Sequence, residues 1–394
     1  MGSSGAEPPL WGGMQLSGWV SFSLVEKGRE GLMKQPYSFS GTFRVSIALG
    51  VLALSLLASG FMPHATTHAA TRSVTTHCDK YVVPVHLSVL GLTTYHVASW
   101  LCYQQTPGNT VQLLVHGGTY GHIYWDFPCP ACQTGNYSYV QYMAQAGYTT
   151  FSYDRLGYGE SDHPLPELVT IQMAAYVLSQ LMADLKTGSY GGPTFQKIVL
   201  VGHSIGSAVV IDEAADATLT RPDGVILSGF LHAIDLTKVT FILTMIQPAL
   251  LDPNPRLNSL LPGYLTTIPG TRGQIFYDQS NADPNVIAED EATKEAVTDS
   301  ELTTFFTIAA STISQLITVP VLEAAGQFDN IFCLGAFNCT NTSVVQNEEA
   351  HFFSPSAQLQ VIAIPQAGHV LNLQENATTA WYPQVSQWLK AHTF

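Results

Sequence analysis

Positive charge is scarce in this chain. Its 394 residues hold 15 Lys and Arg against 29 Asp and Glu, a formal net charge of −14, and the few cations are scattered. That pattern excludes nucleic acid and an anionic membrane surface as natural partners and points to small, neutral ones. Charge of either sign is thin, at 11% of residues, while 46% are hydrophobic. Such a chain is not disordered, and it can bury a large core as one large domain or two ordinary ones. Cysteine is limited to six residues, with no second close Cys or His pair at zinc-finger spacing, so neither a metal nor a cofactor is expected. No internal repeat is visible.

One long apolar run stands near the start. Residues 45–62 include Leu52, Leu54, Leu56 and Leu57, follow Lys34 and Arg44, and lead into small residues around 58–60 and 65–70. They read as a secretory signal within an N-terminal extension, 1–70, and a start at Met33 would give that signal an ordinary length. Cleavage after Gly60 and cleavage near Ala70 both stay open. Left uncleaved, the run approaches a short membrane anchor, which is the one membrane contact the sequence offers. Six cysteines fit a secreted, oxidising home, and the simplest pairing joins Cys129 to Cys132, Cys333 to Cys339 and Cys78 to Cys102. Cys129-Pro130-Ala131-Cys132 has redox-motif spacing but lacks the flanking strand and helix that lower a thiol pKa, so it reads as structural. Asn136, Asn338, Asn341 and Asn376 each begin an Asn-X-Ser/Thr sequon.

Beyond the extension, strand and helix patterns alternate. Residues 81–90 and 92–104 read as a hairpin, 111–115, 148–153, 198–201 and 225–229 as buried strands, and 137–145, 168–186 and 207–217 as helices. This alternation predicts an α/β fold with a mostly parallel sheet flanked by helices. The rhythm breaks over 231–317, where apolar helical stretches (239–251, 302–317) are joined by Pro-, Gly- and Asn-rich segments, and this reads as an inserted helical lid. Alternation resumes with 319–325 and 359–364, and a last helix spans 378–391. The core thus divides into 78–230 and 318–394 around the lid.

Between a strand and a helix lies Gly202-His203-Ser204-Ile205-Gly206. Glycines on either side of a serine let the backbone turn sharply and lift the hydroxyl above the sheet, which makes Ser204 a candidate nucleophile. A serine needs a base. His369, in a loop just past the final strand, is the best placed of the 13 histidines. Asp329 follows the preceding strand and is the favoured carboxylate to orient that imidazole, with Asp235 and Glu323 as rivals. His116-Gly117-Gly118 follows the first buried strand, where backbone N–H groups can face an oxyanion: Gly118 is the first donor, Ile205 the second, and Thr119 stands in reserve. His116 and His203 read as packing. Tyr120, Tyr124, Trp125 and Phe127 place aromatic surface near the pocket, and Tyr120 and Trp125 are the candidate substrate contacts.

Together with Tyr153-Asp154-Arg155-Leu156-Gly157-Tyr158-Gly159-Glu160-Ser161 and Ala367-Gly368-His369, these motifs resemble the α/β-hydrolase superfamily from about residue 80 to the end. The resemblance implies an eight-stranded sheet, a Ser-His-Asp triad, a cap after the sixth strand, and acyl-enzyme chemistry on an ester. The expected substrate is a medium-sized hydrophobic ester or lactone, with amides, carbon–carbon bonds and perhydrolysis less favoured. A hydrolase-like module that binds a ligand without turning it over is the alternative.

Overall fold

Short, mostly apolar runs set the sheet, and longer amphipathic runs set the helices that cover it. The computed structural model describes residues 75–132, 137–232, 235–333 and 338–394, so the signal-like run at 45–62 and Asn136 lie outside the described residues. The chain runs through β1 (His77–Val85), β2 (Tyr95–Tyr103), β3 (Thr110–Val115), α1 (Tyr139–Gln145), β4 (Thr149–Tyr153), α2 (Ile171–Thr187), β5 (Lys197–His203), α3 (Ile205–Ala215) and β6 (Gly224–Ser228). The lid contributes α4 (Leu236–Leu243), β7 (Ile246–Pro248), α5 (Pro255–Asn258), β8 (Tyr264–Thr267), α6 (Arg272–Phe276), α7 (Pro284–Thr293), β9 (Val297–Thr298) and α8 (Asp299–Ala309). The chain closes with β10 (Val321–Gly326), α9 (Thr342–Glu349), β11 (Gln360–Ile364) and α10 (Tyr382–Ala391).

Eight strands form one sheet in the order β1-β2-β4-β3-β5-β6-β10-β11. β2 alone runs against the rest, being antiparallel to both neighbours, while the strands from β4 to β11 pair in parallel. Strands β4, β6 and β10 are buried along their whole length. That is the burial of a parallel sheet covered on both faces, and it explains why these strands show no alternation of exposed and buried positions.

Helix α2 shows how the covering helices are specified. Thr170 caps its start by accepting a hydrogen bond from Met173 N, and Gly188, at φ 78°, ends it in the left-handed conformation. Between them Ile171, Ala174, Ala175, Leu178, Leu181, Met182 and Leu185 recur at three- and four-residue spacing and are buried. They share one core with α3, α8 and one face of the sheet, while α1 and α10 pack on the opposite face. All described residues belong to one compact unit, Ala70–Phe394.

All six cysteines are paired, Cys78 with Cys102, Cys129 with Cys132 and Cys333 with Cys339. The first pair joins residues directly opposite one another on β1 and β2.

The lid differs from the expected all-helical insertion. β7, β8 and β9 form a separate antiparallel sheet of three strands. With three, four and two residues they are too short for alternation to show in sequence. The helix expected over 239–251 therefore ends at Leu243, and that over 302–317 at Ala309. The last helix begins at Tyr382, with Pro383 in its first turn, where a missing N–H costs no intrahelical bond.

Glu213 of α3 is a buried acid with no hydrogen-bond partner among the described residues on either carboxyl oxygen. Burial pushes its pKa up to about 8, with Asp216 and Asp212 adding to the rise and Lys186 opposing it. The folded state thus holds a proton that the unfolded chain releases near the ordinary value of 4.5. The stability this proton confers is complete below about 4.5 and fades at up to about 1.4 kcal/mol per pH unit until the folded pKa is passed. Glu213→Gln should abolish that slope, so denaturant titrations at pH 5 and pH 8 should show wild type losing stability relative to the variant. Equal losses in both would refute the assignment.

Candidate active site

The site is built where β5 meets α3. Two backbone contacts leave no choice of residue there. A Cβ on Gly202 would stand 2.5 Å from Ser207 Cα, and one on Gly206 would stand 2.2 Å from Val115 O of β3. The helix is thereby pressed onto the sheet, and Ser204 between them is held at φ 54°, ψ −120°. This region is sparsely populated for a residue with a side chain and costs roughly 1–3 kcal/mol. Ser204 occupies the N-cap position of α3, where a serine ordinarily turns its oxygen back to cap the helix. It makes no such bond. The strained backbone therefore aims the hydroxyl outward and leaves it available.

His369 and Asp329 come together. His369 Nδ1 and Asp329 Oδ2 are 2.9 Å apart, with both side chains buried. An ionised carboxylate can only accept, so Nδ1 carries the hydrogen and Nε2 presents a lone pair. Nε2 is buried with no hydrogen-bond partner among the described residues, and it is the ring atom left for Ser204. Asp329 is itself fixed, because Oδ1 accepts from Ile331 N at 2.8 Å and Phe332 N at 3.3 Å. The rival acids lie elsewhere: Asp235 caps α4, and Glu323 faces Glu349 inside the core.

Gly118, Thr119, Ser204 and Ile205 line one cavity. Ile205 is the first residue of α3, so its N–H belongs to the first turn and has no acceptor within the helix. Gly118 lies against it so closely that a Cβ would meet Ile205 Cδ1 at 2.6 Å. Gly118 thus packs directly on the Ile205 side chain. Apolar side chains supply the remaining walls, chiefly Val239, Ile242 and Leu243 of α4, Phe276 of α6, and Phe305 and Phe306 of α8.

His116 and His203 are buried and neutral. Burial first, and then Arg155, push His116 down to about 3, while burial and His369 push His203 well below the usual range. His116 Nδ1 lies 2.8 Å from Gly117 O, and its Nε2 accepts from Arg155 N at 3.0 Å. His203 stacks on Tyr124 at 4.2 Å. The expected substrate contacts Tyr120 and Trp125 are absent from the cavity wall. Trp125 is fully buried beside Tyr124 and Tyr139, and Tyr120 packs between Tyr124 and Phe276 with its hydroxyl on Asp290. The cavity's aromatic surface comes instead from the lid.

Two buried arginine ion pairs beside the site escaped the sequence reading. Arg155 pairs with Glu301 of α8, which also takes the Tyr158 hydroxyl, and donates to the carbonyls of His116 and Gly117 at 3.1 and 3.3 Å. Because the N–H and C=O of a trans peptide point opposite ways, holding the Gly117 carbonyl toward Arg155 turns the Gly118 N–H to the other side. Arg272 of α6 pairs with Asp290 of α7 at 2.8 Å. The one clue to both was the scarcity of cations, since an arginine that is buried needs a buried partner.

His232, Glu323 and Glu349 are the described residues whose side chains could converge on a cation. Both nitrogens of His232 are already engaged, Nδ1 with Glu349 at 2.6 Å and Nε2 with Ser314 at 2.9 Å. Burial and the adjacent Glu349 hold Glu323 well above the carboxyl range, so it keeps a proton.

An eight-stranded sheet with a strained serine at the β5–α3 turn, and an Asp-His pair on the loops after β10 and β11, defines a hydrolase-type α/β protein. The Alpha/beta hydrolase family matches residues 112–380, and the chain belongs to that family. Among solved structures, a thermophilic esterase from Thermogutta terrifontis is similar at 18% identity and TM-score 0.53, over 79% of this chain and 99% of that one. E-2-(acetamidomethylene)succinate hydrolase is similar at 16% identity and TM-score 0.51, over 79% and 100%. An esterase from Exiguobacterium antarcticum follows at 14% and 0.50, over 76% and 97%. At these identities the likeness is one of fold. No curated protein matches the sequence significantly.

Replacing Asp329 by Asn would leave His369 free to carry its hydrogen on the wrong nitrogen. Hydrolytic activity of the wild type should fall by roughly 10⁴ with the circular dichroism spectrum unchanged. A loss below tenfold would move the acid's role elsewhere.

Proposed function

We propose that the chain is a secreted serine hydrolase that cleaves a carboxylic ester or lactone of a medium-sized, neutral, hydrophobic substrate. One observation carries the reading: Ser204, Gly118, Thr119 and Ile205 share a cavity whose other walls are apolar and whose lining, among the described residues, holds no ionisable side chain. Esters and lactones are neutral and need only an oxyanion site and a proton acceptor. A substrate carboxylate would lose its hydration there with no cation to replace it.

In this reading Ser204 Oγ attacks the carbonyl carbon as its proton passes to His369 Nε2, and Asp329 stabilises the imidazolium. The carbonyl oxygen gathers negative charge between the N–H groups of Gly118 and Ile205. Collapse breaks the carbon–oxygen bond, and His369 returns the proton to the leaving alcohol. Water, deprotonated by His369, then attacks the acyl-serine and releases the acid and Ser204. The cysteine pairing supports the secreted part of the proposal, because such bonds persist in oxidising compartments.

The test is a chain-length series of neutral p-nitrophenyl esters, each beside its ω-carboxylate analogue, with wild type and Ser204→Ala. Neutral medium chains should be preferred over their charged analogues by about 100-fold in kcat/KM, in line with burying an unpaired polar group. The alanine variant should be inert and take up no serine-reactive phosphonate. If wild type is as inert as the variant toward both, a ligand-binding role replaces the enzymatic one.

A further inference from the structure

The oxyanion loop is held by the lid as much as by the sheet. Thr119, the residue after Gly118, sits at φ 61°. A β-branched residue reaches this left-handed region only under constraint. The constraint comes from two lid segments: Arg272 Nη1 donates to Thr119 Oγ1 at 3.0 Å, and Glu295 N donates to Thr119 O at 3.0 Å. The guanidinium that reaches Thr119 is fully buried, lies 4.3 Å from the Tyr120 ring centroid and 4.9 Å from that of Phe276, and is locked by Asp290. Asp290 is locked in turn by the hydroxyls of Tyr120 and Tyr277. Phe276 also lines the cavity and stacks on His369 at 5.7 Å. One lid arginine therefore contacts the oxyanion loop directly and the catalytic histidine through a single ring.

Building on the hydrolase reading above, we infer that Arg272 is a positioning residue: it holds Thr119 in its strained conformation and thereby sets the Gly118–Thr119 backbone for the oxyanion, so the site is complete only with the lid seated. Arg272 touches no substrate. Its effect falls on the transition state, in which the oxyanion is formed, more than on ground-state binding.

Thr119→Val keeps shape and β-branching but removes the hydroxyl that Arg272 holds, whereas Thr119→Ser keeps the hydroxyl. With a neutral p-nitrophenyl ester, Thr119→Val should lower kcat by about 10- to 100-fold and change KM by less than about twofold. It should also weaken, by the same factor, a trifluoromethyl ketone, which forms an alkoxide at the same place. Thr119→Ser should stay within about threefold of wild type on both readouts, and Arg272→Lys should resemble Thr119→Val. Should Arg272→Lys fail to fold, the Thr119 pair alone decides. The inference is overturned if Thr119→Val keeps wild-type kcat and ketone affinity, or if Thr119→Ser loses as much as Thr119→Val. Wild type inert toward both ester and phosphonate would instead overturn the hydrolase reading and this inference with it.

Discussion

The close approach of α3 to the sheet is the constraint on which the rest of the molecule turns. A helix that lets its glycine face a strand carbonyl, as Gly206 faces Val115 O, can begin immediately where β5 ends. No loop remains to relax the connection, so the whole change of direction falls on Ser204. The consequences reach outward. The serine oxygen is turned away from capping, the first N–H of α3 is left without an acceptor in its helix, and the turn after β3 is brought against Ile205. Even the neutral state of His203 follows, because a residue between the strand and that turn has no route to water.

The electrostatics are arranged around scarcity. With so few cations, the chain uses two of its arginines fully buried, each paired with a lid carboxylate and each bonded to the turn after β3. Buried ion pairs add little net stability, since desolvation offsets most of the attraction. Removing one partner is costly all the same, which makes such pairs effective at fixing one arrangement against others. Here that arrangement is the seating of the lid on the oxyanion loop. In the proposed reading the lid thus has two jobs, an apolar wall for the substrate and a clamp for the backbone that stabilises charge.

Much of this was legible in the chain. Residues 198–201 and 225–229 read as strands because parallel strands covered on both faces must be continuously apolar, and α2 read as a helix because one face is buried. Ser204 was legible because glycines two positions to either side of a serine, directly after a strand, mark a turn tight enough to lift the side chain clear of the sheet. Asp329 and His369 were legible through their order and their places after strands. The strands of the lid were not, because two to four residues carry no measurable period. Tyr120 and Trp125 were expected at the substrate because aromatic residues near a pocket suit contact and core equally well, and only the packing around them separates the two.

Residue order and composition alone set the local conflicts: a serine that cannot relax, a histidine placed to serve it, and a chain with few charges of either sign. These follow from neighbouring residues and from counts, so no long-range contact is needed to read them. Which rings face the cavity, and that Arg155 and Arg272 both reach one turn, came only with the folded packing. Such pairings join residues up to 153 positions apart. Nothing in the spacing of a sequence encodes them, because they exist only once the sheet and the lid have brought those side chains to the same place.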